Sequence, residues 1–256
     1  MSKANRVDRL FGLIGFPLSH SFSKQYFSEK FVRERITDAY YELFPLSALD
    51  QLPGLLNRHS NLQGLNVTIP YKQQILPYLH HIDEGAKAVG AVNTVYITEG
   101  QSLIGFNTDV YGFENSLYAW LLKERGQLED MRGLILGTGG AAKAVAYALR
   151  RLGLPHDWVS RRPEAGQLGY EKLELGAYHL IVNTTPLGMS PKVEQCPAIP
   201  YDQLGPQHYL YDLVYNPEST LFMQKGAAQG AKVKNGLEML IGQAEKAWEI
   251  WQREII

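Results

Sequence analysis

The chain has 256 residues, 45% hydrophobic and 20% charged, with a formal net charge of −1. That length buries a substantial core in one large or two smaller domains, and the near-neutral charge offers no basic footprint for nucleic acid or an acidic membrane surface. The single cysteine, Cys196, excludes an internal disulfide framework and a cysteine zinc cluster, and suits a reducing cytoplasm.

The polar N-terminus, Met1 to Arg9, lacks the apolar core of a signal peptide. No run approaches the ~18 apolar residues of a membrane span. Arg9 to Phe16 reads as a strand ended by Pro17. An amphipathic helix follows to about Arg35, with Phe22, Tyr26, Phe27 and Phe31 on its apolar face; Ser21 or Ser23 fits its N-cap. Ala39 to Leu43 reads as a strand, Ser47 to Asn57 as a helix, and Leu65 to Ile69 as a third strand that meets Pro70 at the start of a short helix. Val92 to Thr98 and Ser102 to Phe106 form the arms of a hairpin, and Ala86 to Gly90 leads into it. This alternation of strand and helix is that of an α/β domain.

Asn107-Thr108-Asp109 caps a long helix running to about Arg125, and a domain border falls inside or beside that helix. Leu134 to Leu136 then enters Gly137-Thr138-Gly139-Gly140-Ala141-Ala142, and a helical pattern leaves it. Gly137, Gly139 and Ala142 fit G-x-G-x-x-A, a dinucleotide-binding fingerprint. Gly137 allows the tight turn, Gly139 lets a pyrophosphate approach the backbone, and Ala142 lets the helix pack close to the strand. The free N–H groups of the helix start face the phosphates. Leu180 to Thr184 and Tyr209 to Val214 read as buried strands. Leu237 to Arg253 reads as a final helix with an apolar stripe. Too few residues separate Ser160 from Leu180 for a full crossover helix and strand, which predicts a shortened, irregular connection around 163–179.

Several polar residues are candidates for chemistry. Lys72 follows Pro70 in the first turn of a helix, where the dipole disfavours a cation. It is either a tolerated surface lysine or one with an anionic neighbour or a use for a lowered pKa. Asp109 is delivered by a strand end and reads either as a plain cap or as the partner of Lys72 in a proton-transfer dyad. Ser160-Arg161-Arg162 lies at the tip of the second nucleotide-domain strand, where an NAD site carries an acid for the ribose 2′-hydroxyl. Guanidinium groups there suit a 2′-phosphate, hence NADP, unless the pair is simply solvated. Asp157 falls before the tip, and Glu164 falls after it, where it would weaken the field. Gln243 lies off the apolar stripe of the last helix. His20 reads as structural or solvent-facing rather than as a metal ligand, and no His/Cys/Asp/Glu cluster has metal-ligand spacing.

Together these segments resemble the shikimate dehydrogenase family, including its quinate/shikimate members. The resemblance runs from about Phe11 to Trp248. It is carried by Pro17-Leu18-Ser19-His20-Ser21-Phe22-Ser23, Asn66-Val67-Thr68-Ile69-Pro70-Tyr71-Lys72, Gly90-Ala91-Val92-Asn93-Thr94, Gly105 to Gly112, Gly137 to Ala141, Asn183 to Met189, Tyr211 to Pro217 and Gly236 to Ala244. It implies an α/β fold in which residues 1–108 and 237–256 bind substrate and residues 109–236 form a Rossmann-like NADP domain, the C-terminal helix returning to the substrate domain.

The resemblance also implies roles for matching residues. Ser21 and Ser23 would bind the substrate carboxylate. Thr68, Asn93, Asp109 and Gln243 would hold ring hydroxyls and the reacting oxygen. Lys72 and Asp109 would be the catalytic pair, and Tyr215 and Gly236 would border the cleft near substrate or nicotinamide. Gly137, Gly139, Gly140 and Ala141 would cradle the pyrophosphate, with Ser160, Arg161 and Arg162 on the 2′-phosphate side. The family usually carries Asn-Arg-Thr at that tip, so only Arg161 matches it directly, and the run from Arg162 to Leu180 is shorter than the family's. The implied activity is the NADP-dependent, reversible reduction of 3-dehydroshikimate to shikimate in aromatic amino acid (chorismate) biosynthesis, by a cytoplasmic monomer or homodimer. Two alternatives remain: a quinate or cyclitol dehydrogenase with broader substrate or NAD use, and a non-catalytic ligand sensor.

Overall fold

The computed structural model describes residues 8–18 and 22–253. They form two compact units. The described residues up to Thr108 and from Ala244 onward make one, and Asp109–Gln243 the other.

In the first unit the elements are β1 (Arg9–Gly15), α1 (Phe22–Arg33), β2 (Ala39–Pro45), α2 (Leu52–Arg58), β3 (Leu62–Val67), α3 (Tyr71–Gln74), β4 (His81–Ile82), α4 (Glu84–Val89), β5 (Thr94–Ile97) and β6 (Leu103–Phe106). Their sheet has the order β2-β1-β3-β5-β6-β4. β2, β1 and β3 are parallel, as the helical crossovers require, whereas β5 and β6 form the expected antiparallel hairpin. The apolar run of β1 is buried from Leu10 to Gly15.

The second unit holds most of α5 (Thr108–Arg125), then β7 (Gly133–Leu136), α6 (Gly140–Arg151), β8 (His156–Ser160), β9 (Leu168–Gly169), β10 (Leu180–Asn183), β11 (Tyr209–Asp212), α7 (Leu221–Ala228) and β12 (Lys232–Lys234). α8 (Leu237–Trp251) closes the chain. The sheet of this unit is parallel throughout, in the order β12-β11-β10-β7-β8-β9. Counted from β7, that is 3-2-1-4-5-6 read from the other edge, the doubly wound dinucleotide-binding order. Both sheets are parallel-rich, and the α/β architecture is the one expected.

The end of α8 packs into the first unit through aromatic contacts. Trp251 stacks on Phe11 at 4.9 Å and donates its indole N–H to the Val95 carbonyl at 3.0 Å. Gly64 makes this possible, because a Cβ there would lie 2.3 Å from the Trp251 ring nitrogen.

The structure differs from expectation at several elements. β3 starts at Leu62 and ends at Val67, because the Thr68 carbonyl already accepts the Tyr71 N–H in a turn. The segment read as a helix over 47–57 is a 3₁₀ turn at Leu49–Gln51 followed by α2. Ala86 to Gly90 is the end of α4, stopped by Gly90 in the left-handed region at φ 70°. α7 and β12 were not foreseen, although Thr220 before an apolar run is an N-cap signal and its hydroxyl does cap Met223. Between β8 and β10 the chain makes only the two-residue β9 and a 3₁₀ turn at Tyr170–Lys172.

Candidate active site

In the first unit, the tip of β3 and the segment entering β5 are zipped together by backbone hydrogen bonds. Val67 N–H donates to the Asn93 carbonyl at 2.8 Å, and Val92 N–H donates to the Lys72 carbonyl at 2.8 Å. Thr68, Lys72 and Asn93 are thereby gathered at one edge of the sheet. α3 is a single turn, so the dipole cost expected for Lys72 is small; the lysine is placed by its backbone bond to Val92 instead.

The side chain of Asn93 is buried, and its Oδ1 accepts the Thr108 N–H at 2.7 Å. That bond satisfies the first N–H of α5. Asp109 is the second residue of α5 and supplies an acidic side chain to its first turn. Ser23 lies in the first turn of α1, where its hydroxyl hydrogen-bonds the buried phenol of Tyr41. Burial pushes the Tyr41 phenol well above its ordinary range, with Ser23 opposing that shift. Ser21 lies outside the described residues, as does His20.

In the second unit, α5 and α8 meet at a pair of glycines. A Cβ on Gly112 would lie 2.4 Å from the Met239 carbonyl oxygen and 2.9 Å from the Gln243 nitrogen, and one on Gly242 would lie 3.3 Å from the Gly112 Cα. Gln243 therefore sits beside the α5 face that carries Asp109 one turn earlier. Gln243 is buried and donates from Nε2 to the Leu240 carbonyl at 3.0 Å.

The glycine loop joins β7 to α6. Gly137 takes φ 111°, and a Cβ there would lie 2.7 Å from Thr184 Oγ1. The residue is glycine for both reasons. Added Cβ atoms on Gly139 and Gly140 would meet nothing within 4 Å, so the space above the helix start is open. No side chain caps α6, and Ala142 is fully buried. Ala141 lies in its first turn.

Beside the loop opens a cavity of about 450 Å³, lined in part by Thr138, Lys143, Trp158, Ser160, Arg162 and Glu164. Ser160 shapes the strand tip: its hydroxyl donates to the Arg162 carbonyl at 3.1 Å and accepts the Arg162 N–H at 3.2 Å. Arg161 does not line the cavity; burial raises the Tyr170 phenol, and the Arg161 charge opposes that shift. Lys143 was missed by sequence reasoning. Its position on the first turn of the glycine-loop helix, next to the strand tip in a βαβ unit, was the available signal. Asp157 is turned to other work: Arg132 Nη2 at 2.7 Å and the Tyr178 hydroxyl at 2.8 Å both donate to it. Burial would raise its carboxyl, but Tyr178 and Arg132 outweigh that and hold it below the usual range. A larger cavity, about 620 Å³, opens between the 126–132 and 152–155 segments and is lined by none of the expected site residues.

The tips of β10 and β11 carry a second polar cluster. Asp212 is fully buried. Its carboxylate accepts Asn183 Nδ2 at 2.9 Å, the Val214 N–H at 3.0 Å and the Thr220 hydroxyl at 2.6 Å. Burial nevertheless dominates and pushes its pKa up to about 6. The loop so closed carries Tyr215, whose phenol is raised by partial burial. Gly236 packs directly on this loop, since a Cβ there would lie 2.2 Å from the Leu213 carbonyl oxygen. Among the described residues no group of His, Cys, Asp and Glu is placed to hold a metal ion, and no helix is long and apolar enough to cross a membrane.

Residues 13–95 match the model of the shikimate dehydrogenase substrate binding domain. The shikimate dehydrogenase (NADP(+)) of Carboxydothermus hydrogenoformans is 37% identical, over 97% of this chain and 93% of that protein. A crystal structure of a shikimate dehydrogenase in complex with NADP+ superposes with a TM-score of 0.84 at 31% identity, covering 98% of this chain and 92% of that one. The shikimate 5-dehydrogenase of Thermus thermophilus, in complex with NADP(H) and shikimate, gives 0.81 at 32% identity, covering 95% and 93%. This chain belongs to the shikimate dehydrogenase family.

Proposed function

We infer that this chain catalyses the reversible, NADP-dependent reduction of 3-dehydroshikimate to shikimate, with Lys72 and Asp109 as its catalytic pair. The observation that carries the reading is the backbone zipper that gathers Thr68, Lys72 and Asn93 at one sheet edge, in a chain of this family. In this reading residues 1–108 and 237–256 supply most of the substrate contacts and residues 109–236 hold the dinucleotide.

The residues present fit the cofactor. Gly139 and Gly140 leave the room that a pyrophosphate needs, and Lys143 and Arg162 line the neighbouring cavity with the charge that a 2′-phosphate needs. Bound NADPH supplies the hydride for the ketone carbon. Lys72 Nζ then gives a proton to the developing alkoxide and stabilises its charge. Asp109 accepts a hydrogen bond from a substrate hydroxyl and orients it. Thr68, Asn93 and Gln243 hold ring hydroxyls, and a substrate lacking one leaves a buried polar group unpaired. Ser23 meets the carboxylate, and Tyr215 and Gly236 border the reacting region. The lone cysteine suits the cytoplasm.

The test is a spectrophotometric assay with shikimate and with quinate, each with NADP+ and NAD+. Turnover is expected with shikimate and NADP+. Preferred use of quinate with NAD+ would overturn the substrate and cofactor assignment, and no turnover with any pair would leave a ligand sensor.

A further inference from the structure

We propose that Tyr41, Asn66 and Thr94 are positioning residues that lock the Asn93 carboxamide so that it meets the substrate as a hydrogen-bond donor. The inference rests on the reading of Asn93 as a substrate residue. Tyr41 on β2 and Asn66 on β3 flank β1, and the phenol reaches across to donate to Asn66 Oδ1 at 2.7 Å. Asn66 Nδ2 donates to Thr94 Oγ1 at 3.2 Å, its direct cross-strand partner on β5. The Thr94 hydroxyl donates to Asn93 Oδ1 at 3.3 Å. Asn93 Nδ2 in turn donates to Thr108 Oγ1 at 3.0 Å.

All five side chains belong to buried residues: Tyr41 is 3% exposed, Asn66 5%, Asn93 3%, Thr94 0% and Thr108 1%. Apolar residues of similar shape would fill these positions without any need for partners, so the polar chain is not required for packing. Its satisfied hydrogen bonds instead fix one arrangement.

The polarity of the chain has a chemical consequence. Asn66 Oδ1 accepts only, so the Tyr41 proton goes to it, and Asn66 Nδ2 in turn donates to the Thr94 hydroxyl. The Thr94 proton has two acceptors within reach, Asn93 Oδ1 at 3.3 Å and Thr108 Oγ1 at 3.1 Å, while the Thr108 N–H can only donate and holds Asn93 Oδ1 at 2.7 Å. Asn93 Oδ1 is thus fixed as an acceptor by the Thr108 N–H, with the hydroxyls of Thr94 and Thr108 both within hydrogen-bond reach of it. The face that Asn93 offers a ligand is then its Nδ2. That group selects a hydroxyl or carbonyl oxygen acting as acceptor and rejects a group that can only donate.

The experiment uses the full-length protein with Tyr41→Phe, Thr94→Val, Thr94→Ser and Asn93→Ala, measuring KM for shikimate and for NADP+ separately, with melting temperature alongside. Tyr41→Phe and Thr94→Val are each expected to raise the shikimate KM about tenfold and leave the NADP+ KM unchanged. Thr94→Ser, which keeps the hydroxyl, is expected to restore the wild-type value. Combined with Asn93→Ala, neither is expected to add a further loss. Additive losses, or equal rises in both KM values with a falling melting temperature, would overturn the proposal. An unchanged shikimate KM in Asn93→Ala itself would remove Asn93 from the substrate site, and the lock with it. A changed KM there with none in Tyr41→Phe and Thr94→Val would remove the lock alone.

Discussion

The Thr220 hydroxyl lies 2.6 Å from the Asp212 carboxylate, and this bond joins the tip of β11 to the cap of α7 across the loop that carries Tyr215. Thr220→Val keeps the volume and removes the donor. A buried carboxylate then keeps only Asn183 and Val214 as partners. The expected loss is about 1.5–3 kcal/mol, the range for a hydrogen bond to a charged group, read by urea unfolding at neutral pH. An unchanged midpoint would show that the loop is held by other contacts.

The same carboxyl predicts a pH dependence of stability. Its pKa is raised from 3.8 to about 6 in the folded protein, chiefly by burial. The folded state thus keeps a proton that the unfolded chain has released, and this group's stabilising contribution declines as pH rises from about 4 to about 6. The decline is about two pH units at ~1.36 kcal/mol each, on the order of 3 kcal/mol. Asp212→Asn removes that slope from chemical denaturation curves taken across the interval. A variant curve parallel to that of the unaltered protein would assign the slope elsewhere.

Lys143 and Arg162 line the cavity beside the glycine loop, and Arg161 does not. Lys143→Gln and Arg162→Gln are each expected to raise the NADP+ KM at least tenfold while changing the NAD+ KM little, since a charge-assisted bond to phosphate is lost only with the phosphorylated cofactor. Arg161→Gln is expected to change both by less than threefold. Steady-state kinetics with the two cofactors decides the ranking; the reverse order would return the 2′-phosphate to Arg161.

If Lys72 gives the proton, Lys72→Ala lowers kcat by about 10²–10⁴, the ordinary contribution of general acid catalysis. Shikimate binding measured by calorimetry changes much less. Near-normal turnover would exclude Lys72 as the acid.

Two glycines separate fold from cofactor binding. Gly236→Ala drives a Cβ to 2.2 Å from a backbone oxygen, whereas Gly139→Ala meets nothing within 4 Å. The first is expected to destabilise by about 1–3 kcal/mol. The second leaves the melting temperature unchanged and raises the NADP+ KM several-fold. Equal melting temperatures in both variants would contradict the packing around Gly236.

The parts of the fold written in periodicity were legible. The apolar run of β1, the hairpin of β5 and β6, and the glycine turn into α6 were all read from spacing alone. Short elements were not, because β4, β9 and β12 owe their conformation to the strand they lie against and carry too few residues to show a period. The site divides in the same way. Thr68, Lys72 and Asn93 stand in motifs, but the reason they share an edge is a set of backbone bonds that spacing does not encode. Tyr41 was hidden for another reason: a tyrosine in a buried strand reads as core, and only its hydroxyl partner on β3 shows otherwise. Lys143 carries no motif signal, and only the strand tip beside α6 shows that it lines the cavity.

No α-helix lies between β8 and β10, and Lys143 and Arg162 are exposed beside the cavity next to the glycine loop. Charges in such a setting are screened over ~8 Å at physiological ionic strength, unlike a buried pair. Capture of the phosphorylated cofactor should therefore weaken as salt is raised, while the hydrogen bonds around Asn93, closed off from solvent, keep their strength. Ionic strength then acts on the two ligands unequally and shifts the preference between NADP and NAD without any change in the protein.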